Sequence, residues 1–323
     1  MKLFDRNKLK VRSLSERESK SGLSILIDHS SKPPYINKKE LSQLEQVASS
    51  IKKSRKGNAP VVFAFGAHAV KNGLSNIIIR MMEEDYIQHI LANEAFVIHD
   101  WELAFQGKTE EDVKKYVNEG QFGLWDETGL CLNSAIKLGA KSNIGYGQSV
   151  GRMIDNEEIC DIKIPHPHKS ISVLGNAYKL NISVSIGVTI GQNIHHTHPE
   201  FSGEATGKVG DIDFLKFVDT IYNLENGTYV SIGSAILSPQ IFEKALSMAK
   251  NIAKQENKKL ENYDIFVNDI QEGKWDWSKG EPPKDNPAYY LRFMKTFSRM
   301  GGTSEYIQMD NRTFLHNLYH LLK

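Results

Sequence analysis

The sequence predicts an α/β fold: one parallel sheet with helices on its faces. Two observations carry this, and the composition permits it. Short apolar runs recur from Pro60 onward, and segments with helical spacing separate them. Strands that alternate with helices of roughly 10–15 residues pair in parallel through right-handed crossovers. Hydrophobic residues make up 40% of the 323 residues and charged residues 24%, enough to build a core and unlike a disordered chain. The expected architecture is therefore a Rossmann-like sheet, which places ligands at the carboxyl ends of its strands.

Residues 1–58 are polar and rich in Ser and Lys, and read as an N-terminal extension. Within them Lys39–Lys53 has helical spacing, with Leu41, Leu44, Val47 and Ile51 on one face. Ser54–Pro60 reads as a loop, and residues 59–323 as the α/β domain. Val61–Phe65 is a buried strand that ends at Gly66. Leu74–Glu84 is a helix, Ile87–Ala92 a strand, and a helix is expected around Glu110–Asn118. Ile171–Lys179 (helix), Val184–Thr189 (strand), Phe214–Asn223 (helix), Thr228–Ile232 (strand), Pro239–Gln255 (helix) and Tyr263–Val267 (strand) complete the pattern.

The bulk numbers narrow the function. With 40 basic and 39 acidic residues the net charge is +1, which argues against a general nucleic-acid binder. Cys131 and Cys160 make neither a metal pair nor a disulfide framework, so a reducing compartment is expected. No apolar run approaches the ~20 residues that span a bilayer, and the charged N-terminus has no signal core. These readings place the protein in the cytoplasm, acting on a small molecule, with no membrane and no nucleic-acid partner.

Four segments lie just after predicted strands and gather chemistry. After the first comes Gly66-Ala67-His68, a tight turn before a helix whose free N–H groups suit phosphate. A plain strand–helix turn has the same pattern. After the second, Asn93–Glu102 carries Glu94, Asp100, Glu102 and His99. Its carboxylates suit hydroxyls or an amine, and His99 suits proton transfer near neutral pH; a solvated helix start capped by Asp100 is the alternative. After Val184–Thr189, His195, His196, His198 and Glu200 fall within six positions. Their spacing matches no established metal motif, so acid–base work is preferred to a metal, with His198 first because Pro199 restricts its backbone. After Thr228–Ile232, Gly233-Ser234-Ala235 lets a cofactor approach the backbone. Further on, Trp275–Gly302 joins aromatic residues to Arg292, Lys295 and Arg299, a basic face for an anionic substrate or a neighbouring subunit.

The order of these segments resembles the deoxyhypusine synthase family over roughly residues 60–320. Gly73-Leu74-Ser75-Asn76-Ile77-Ile78, a charged helix, and Tyr86–Asn93 are similar to that family's "S-G-L-R-x-x-I", helix and "V-D-V-I-V-T-T-A-G-G-I-E-E-D". Ser170–Ser185 is similar to its "S-x-x-x-x-A-x-K-x-x-I-P-V", Ser231–Pro239 to its Gly-rich turn, and Tyr263–Val267 to its "Y-A-V-Y-I" strand. The resemblance implies a Rossmann-like fold, NAD, and a homotetramer with active sites near subunit interfaces. It implies cofactor contacts at Gly66, Ala67, His68, Asn93, Glu94, Gly233, Ser234 and Asp310. The family's "T-S-N" is Gly66-Ala67-His68 here, its "A-G-G" is Glu94-Ala95-Phe96, and its "G-G-G" is Gly233-Ser234-Ala235. Its catalytic "W-G-K" is absent, with Lys295 near that place in order.

The expectation is an NAD-dependent enzyme on a small polar substrate, an amine or amino acid, that is not deoxyhypusine synthase itself. C–N oxidation with transfer or hydrolysis is the implied chemistry, with His195–Glu200, His99, Asp100 and Lys295 as catalytic candidates. Glu94 in the second turn favours NAD over NADP. Two alternatives stand beside it: a cofactor-free lyase or isomerase that uses the histidines on a phosphorylated or hydroxylated compound, and a non-catalytic oligomeric binding protein.

Overall fold

A computed structural model of the chain describes residues 3–323. Six strands form the central sheet: β1 (Val61–Phe65), β2 (His89–Asn93), β3 (Ser183–Gly187), β4 (Thr228–Ile232), β5 (Asp264–Asp269) and β6 (Thr303–Gln308). Their order is β6-β5-β4-β1-β2-β3 and every pairing is parallel. Two neighbouring strands, β1 and β4, are far apart in sequence, and from them the sheet grows outward in opposite directions. That is the doubly wound order with its topological switch point between β1 and β4.

The helices that cover the sheet and frame its carboxyl edge are α1 (Lys38–Lys56), α2 (Ser75–Glu83), α3 (Glu94–Gln106), α4 (Asp126–Ser142), α5 (Tyr146–Asn156), α6 (Val173–Lys179), α7 (Gly203–Tyr222), α8 (Leu237–Gln255) and α9 (Asn311–Leu322). Side chains alternate across a strand, and β1 shows what this decides. Val61, Phe63 and Phe65 join a core with Leu44, Val47 and Ile51 of α1, Ile77 and Ile78 of α2, and Phe314 and Leu318 of α9. Val62 and Ala64 join a second core with Phe217 and Ile221 of α7 and Phe242 and Leu246 of α8. Each large side chain so buried contributes about 1.5–3 kcal/mol, and both faces of the sheet are covered as a parallel sheet requires.

Elements within residues 3–58 are part of this packing. Helix α1 lies against α9, and upstream Arg17 forms a two-pronged pair with Glu102 of α3, both bonds 2.7 Å. Thr109 and Thr128 donate to the same carboxylate.

Where the sequence expectation differs, local causes are visible. The helix expected around Glu110–Asn118 is a short strand, Lys108–Glu111, and then a helix, Val113–Asn118. The strand pairs antiparallel with Ser19–Gly22, and Asp112 accepts from Lys115 N to cap the helix. Asn93–Glu102 is neither loop nor solvated helix start: it opens α3, in which Glu94, Asp100 and Glu102 are buried among apolar residues. A helix enclosed on several sides has no apolar stripe to betray it. The hydrophobic pattern predicts none of helices α4 and α5, strand β6 and helix α9.

Candidate active site

Two features lie at the carboxyl edge of the sheet. The first is the crevice at the switch point. Strand β1 ends at Phe65 and turns through Gly66 and Ala67 into a single helical turn, His68–Lys71. Strand β4 ends at Ile232 and turns through Gly233, whose φ of 55° is left-handed, and Ser234, whose Oγ accepts from Ser238 N in the first turn of α8. Nothing occupies the space where a side chain on Gly233 would project, and beside Gly66 the nearest groups are Asn93 and the Gly233 carbonyl. A cavity of about 300 Å³ opens here, lined by His68, Asn72, Gly233, Asn268, Asp269 and Asp310 among others.

Asn268, which lines this crevice, carries a buried polar group without a partner. Its amide nitrogen donates to the carbonyls of Ile307 (3.2 Å) and Met309 (2.8 Å), which accept only, so the amide orientation is determined. Its Oδ1 is then an acceptor, buried and without a partner. Asp310 caps α9 by accepting from Arg312 N and Thr313 N. Sequence reasoning passed over Asn268, Asp269 and Asn72. The first two stand directly after the strand expected at Tyr263–Val267, where the rule of inspecting strand ends would have found them.

The second feature is a buried carboxylate–imidazole centre. Glu94, at the start of α3 just past β2, receives the loop that leaves β3. Its Oε1 lies 2.9 Å from His196 Nε2 and 3.2 Å from His195 Nε2. Its Oε2 accepts from Thr189 N (2.9 Å) and Asn193 Nδ2 (2.8 Å). The Tyr146 hydroxyl at the start of α5 stands 3.2 Å from His195 Nε2. Burial opposes ionisation of Glu94, but the bonds from His195 and His196 outweigh it and hold the carboxyl down at about 2. Burial lowers His195, with Glu94 acting against it. Burial also raises the Tyr146 phenol well above its usual range.

Backbone amides determine the tautomers. Gly191 N–H donates to His196 Nδ1 at 3.1 Å, so that nitrogen carries a lone pair and the proton sits on Nε2, facing Glu94. Glu200 N–H likewise donates to His198 Nδ1 at 3.1 Å, leaving Nε2–H toward Asp126. Glu94, His195 and His196 bring their ligand atoms within 4.8 Å of one another, as a metal would need. An imidazole whose Nε2 bears a proton is not a ligand through that atom. The donor set therefore suits a proton network better than a metal.

The remaining sequence candidates lie elsewhere or are engaged. Glu200 pairs with Lys137, both largely exposed. His99 bonds Thr109, beside the Arg17–Glu102 pair, and burial holds it down at about 4. Asp100 accepts from Ser172 Oγ, Val173 N and Leu174 N, capping α6 from a distance. Neither His99 nor Asp100 shares a partner with the His195–Glu94 centre. Lys295 pairs with Glu281 (2.6 Å) and lies over the Tyr289 ring, and the Glu281 bond raises its affinity for a proton, which opposes an uncharged, nucleophilic amine. Asn93 caps α3 by accepting from Phe96 N, and both oxygens of Glu94 are engaged by the protein's own donors.

No family model and no curated protein matches the sequence. Solved structures match the fold. A candidate deoxyhypusine synthase from Entamoeba histolytica superposes with a TM-score of 0.50 at 9% identity, over 88% of each chain. A conserved LOR/SDH protein candidate from Methanococcus maripaludis S2 gives 0.51 at 16% identity, over 90% of this chain and 73% of that one. AgrE, in a ternary complex with ornithine and NAD+, gives 0.52 at 15% identity, over 89% of this chain and 34% of that one. The chain thus spans about a third of the AgrE chain. The chain has a deoxyhypusine synthase-like fold. Among the described residues no helix is long and apolar enough to cross a membrane.

Proposed function

We propose that this chain is an NAD-binding enzyme acting on a small polar substrate, an amine or amino acid, through C–N chemistry that ends in transfer or hydrolysis. The observation that carries the reading is the switch-point crevice. Gly66 and Gly233 leave the backbone open on adjacent strands, and Asn268 lines the crevice between them. The turn before His68, Gly233 and Asn268 would hold the cofactor, which supplies hydride acceptance when bound. AgrE, similar in fold, is solved with ornithine and NAD+, which supports both the cofactor and the substrate class.

The protein's own side chains would handle the proton and the substrate's polar groups. Isothermal calorimetry with NAD and NADP tests the proposal. Heat with NAD and not NADP is expected: Asp269 and Asp310 line the crevice, which would repel an added phosphate. No heat with either dinucleotide overturns it.

The same carboxylates favour a second reading. The crevice lining contains no Lys or Arg to meet phosphates. A cofactor-free lyase or isomerase working through the histidine centre is what remains if calorimetry fails. A homotetramer is part of the proposal; Tyr290, 69% exposed in the aromatic C-terminal stretch, suits an interface. Sedimentation that shows a monomer at micromolar concentration removes it.

A further inference from the structure

We propose that Asp213 is the positioning residue of the histidine centre: its carboxylate clamps the first turn of α5 to β3 and so sets the Tyr146 hydroxyl against His195. The proposal rests on the reading of this centre as reactive, and it names a residue outside the centre on which the geometry within it depends.

The clamp is built from one residue. Asp213 lies in α7 and is buried. Its Oδ2 accepts from Gly147 N (3.1 Å) in the first turn of α5 and from Ile186 N (3.0 Å) in β3. Its carbonyl oxygen accepts from Ser185 Oγ (2.7 Å), so two consecutive residues of β3 are tied to it. Tyr146, the residue before Gly147, is fully buried. Its hydroxyl is 3.2 Å from His195 Nε2, and the two rings meet edge to face with centroids 5.9 Å apart. His195 lies in the loop that leaves β3. The carboxylate therefore joins the helix that carries one partner to the strand that feeds the other.

The local sequence makes room for the carboxylate. Gly145, Tyr146 and Gly147 open α5. A Cβ on Gly145 would stand 1.7 Å from Asp213 Oδ1, and one on Gly147 would stand 2.3 Å from the Val184 carbonyl oxygen of β3. Neither position has space for a side chain, and Tyr146 between them keeps the one that reaches His195. Gly145 gives α5 no side-chain cap. A Ser or Asp at that position would satisfy free N–H groups of the first turn from within the helix, but it would leave α5 untied to β3. A carboxylate brought from α7 does both.

Asp100 shows what such a remote cap does where no group of the centre depends on it. It too is buried, and it accepts from Ser172 Oγ, Val173 N and Leu174 N at the start of α6. Among the described residues no hydrogen bond links the first turn of α6 to the side chains of Glu94, His195 or His196, whose partners lie in the histidine loop and at Tyr146. Loss of either cap costs stability, because each leaves helix-start N–H groups without an acceptor. Only loss of the Asp213 cap frees a helix start that carries a side chain of the centre.

Ring NMR of the full-length protein labelled with ¹⁵N-histidine and ¹³C-tyrosine tests this without substrate or cofactor, the signals being assigned with His195→Gln and Tyr146→Phe. Asp213→Ala should move the His195 Nε2 signal to its position in Tyr146→Phe, as a lost bond requires. Asp213→Asn should leave it at the wild-type position, since one carbonyl oxygen accepts both N–H groups. Asp100→Ala should also leave it there, while lowering the melting temperature as Asp213→Ala does. If Asp213→Ala does not fold, Gly145→Ala takes its place: the methyl turns the carboxylate aside, and the same signal should move. Unchanged His195 and Tyr146 signals in the variant that folds overturn the proposal. So does an equal shift in Asp100→Ala, which would mean general loosening. Failure of the underlying reading looks different: a signal that moves as expected, in a protein whose His195→Gln variant keeps full activity, would leave the clamp standing and remove the reactive centre.

Discussion

Asp100 Oδ2 accepts a 2.6 Å hydrogen bond from Ser172 Oγ, and the same carboxylate receives Val173 N and Leu174 N, so a residue of α3 caps α6 across 72 positions of sequence. Burial nevertheless pushes Asp100 up to about 6, and it pushes Asp213 up to about 7 where that residue receives Gly147 N and Ile186 N.

These two aspartates oppose five histidines in setting the pH dependence of stability, since burial lowers His195 and His316 as well as His89, His99 and His166. Burial holds His89 down at about 3 and His99 and His166 at about 4. Below the unfolded value of ~6.5 the unfolded chain binds protons that these histidines refuse, so their contribution is lost as pH falls. The aspartates bind protons in the folded state first, so their contribution is present at low pH and lost as pH rises through about 6 and 7. Below about pH 6 the histidines outnumber the aspartates, so the net stability falls as pH falls. Thermal unfolding should give a midpoint that falls below about pH 6. A midpoint that climbs on acidification would contradict these burials.

Arg17→Ala should destabilise the fold by about 3–5 kcal/mol, because it leaves the Glu102 carboxylate buried without its cation. Both side chains of the pair are 1% exposed. Lys137→Ala, which breaks the exposed pair with Glu200, should cost less than about 1 kcal/mol. Urea denaturation of the two variants side by side makes the comparison, and equal losses would mean that the Arg17 pair is not enclosed.

Gly233→Val should lower NAD affinity at least ~10-fold, since a branched side chain both fills the crevice and is forced to positive φ, at a cost of roughly 1–2 kcal/mol. Gly207→Ala is the control. It lies in α7 with open space around the position, and should stabilise by ~0.5–1 kcal/mol without touching binding. Calorimetry and melting on both variants separate a blocked crevice from a weakened fold.

Once a turnover substrate is known, His195→Gln should reduce the rate by ~10²–10⁴-fold, the usual span of a general base, with a fold that circular dichroism finds intact. Lys295→Ala should leave more activity than His195→Gln does. A Lys295 variant that is the more damaging of the two would move the reactive group to the C-terminal stretch.

The sequence by itself determined five of the six strands of the sheet and their parallel pairing. Strand runs at Val61–Phe65 and Thr228–Ile232 coincide with β1 and β4: the first is apolar throughout, and the second interrupts its β-branched and aromatic residues only with Ser231. It also marked Gly66, Gly233 and the histidine loop, because residues after parallel strands all reach one edge. Tertiary structure decided the partners. Glu94 meets His195 and His196 from 101 and 102 positions away. Asp100, six residues after Glu94, turns instead to α6, since about one and two-thirds turns of helix point the two carboxylates in different directions. No periodicity reports which distant loop covers a helix start. Pro199 restricts the His198 backbone, but sequence does not show that the Glu200 amide occupies His198 Nδ1. Which imidazole nitrogen is free depends on backbone donors that only the folded chain brings into place.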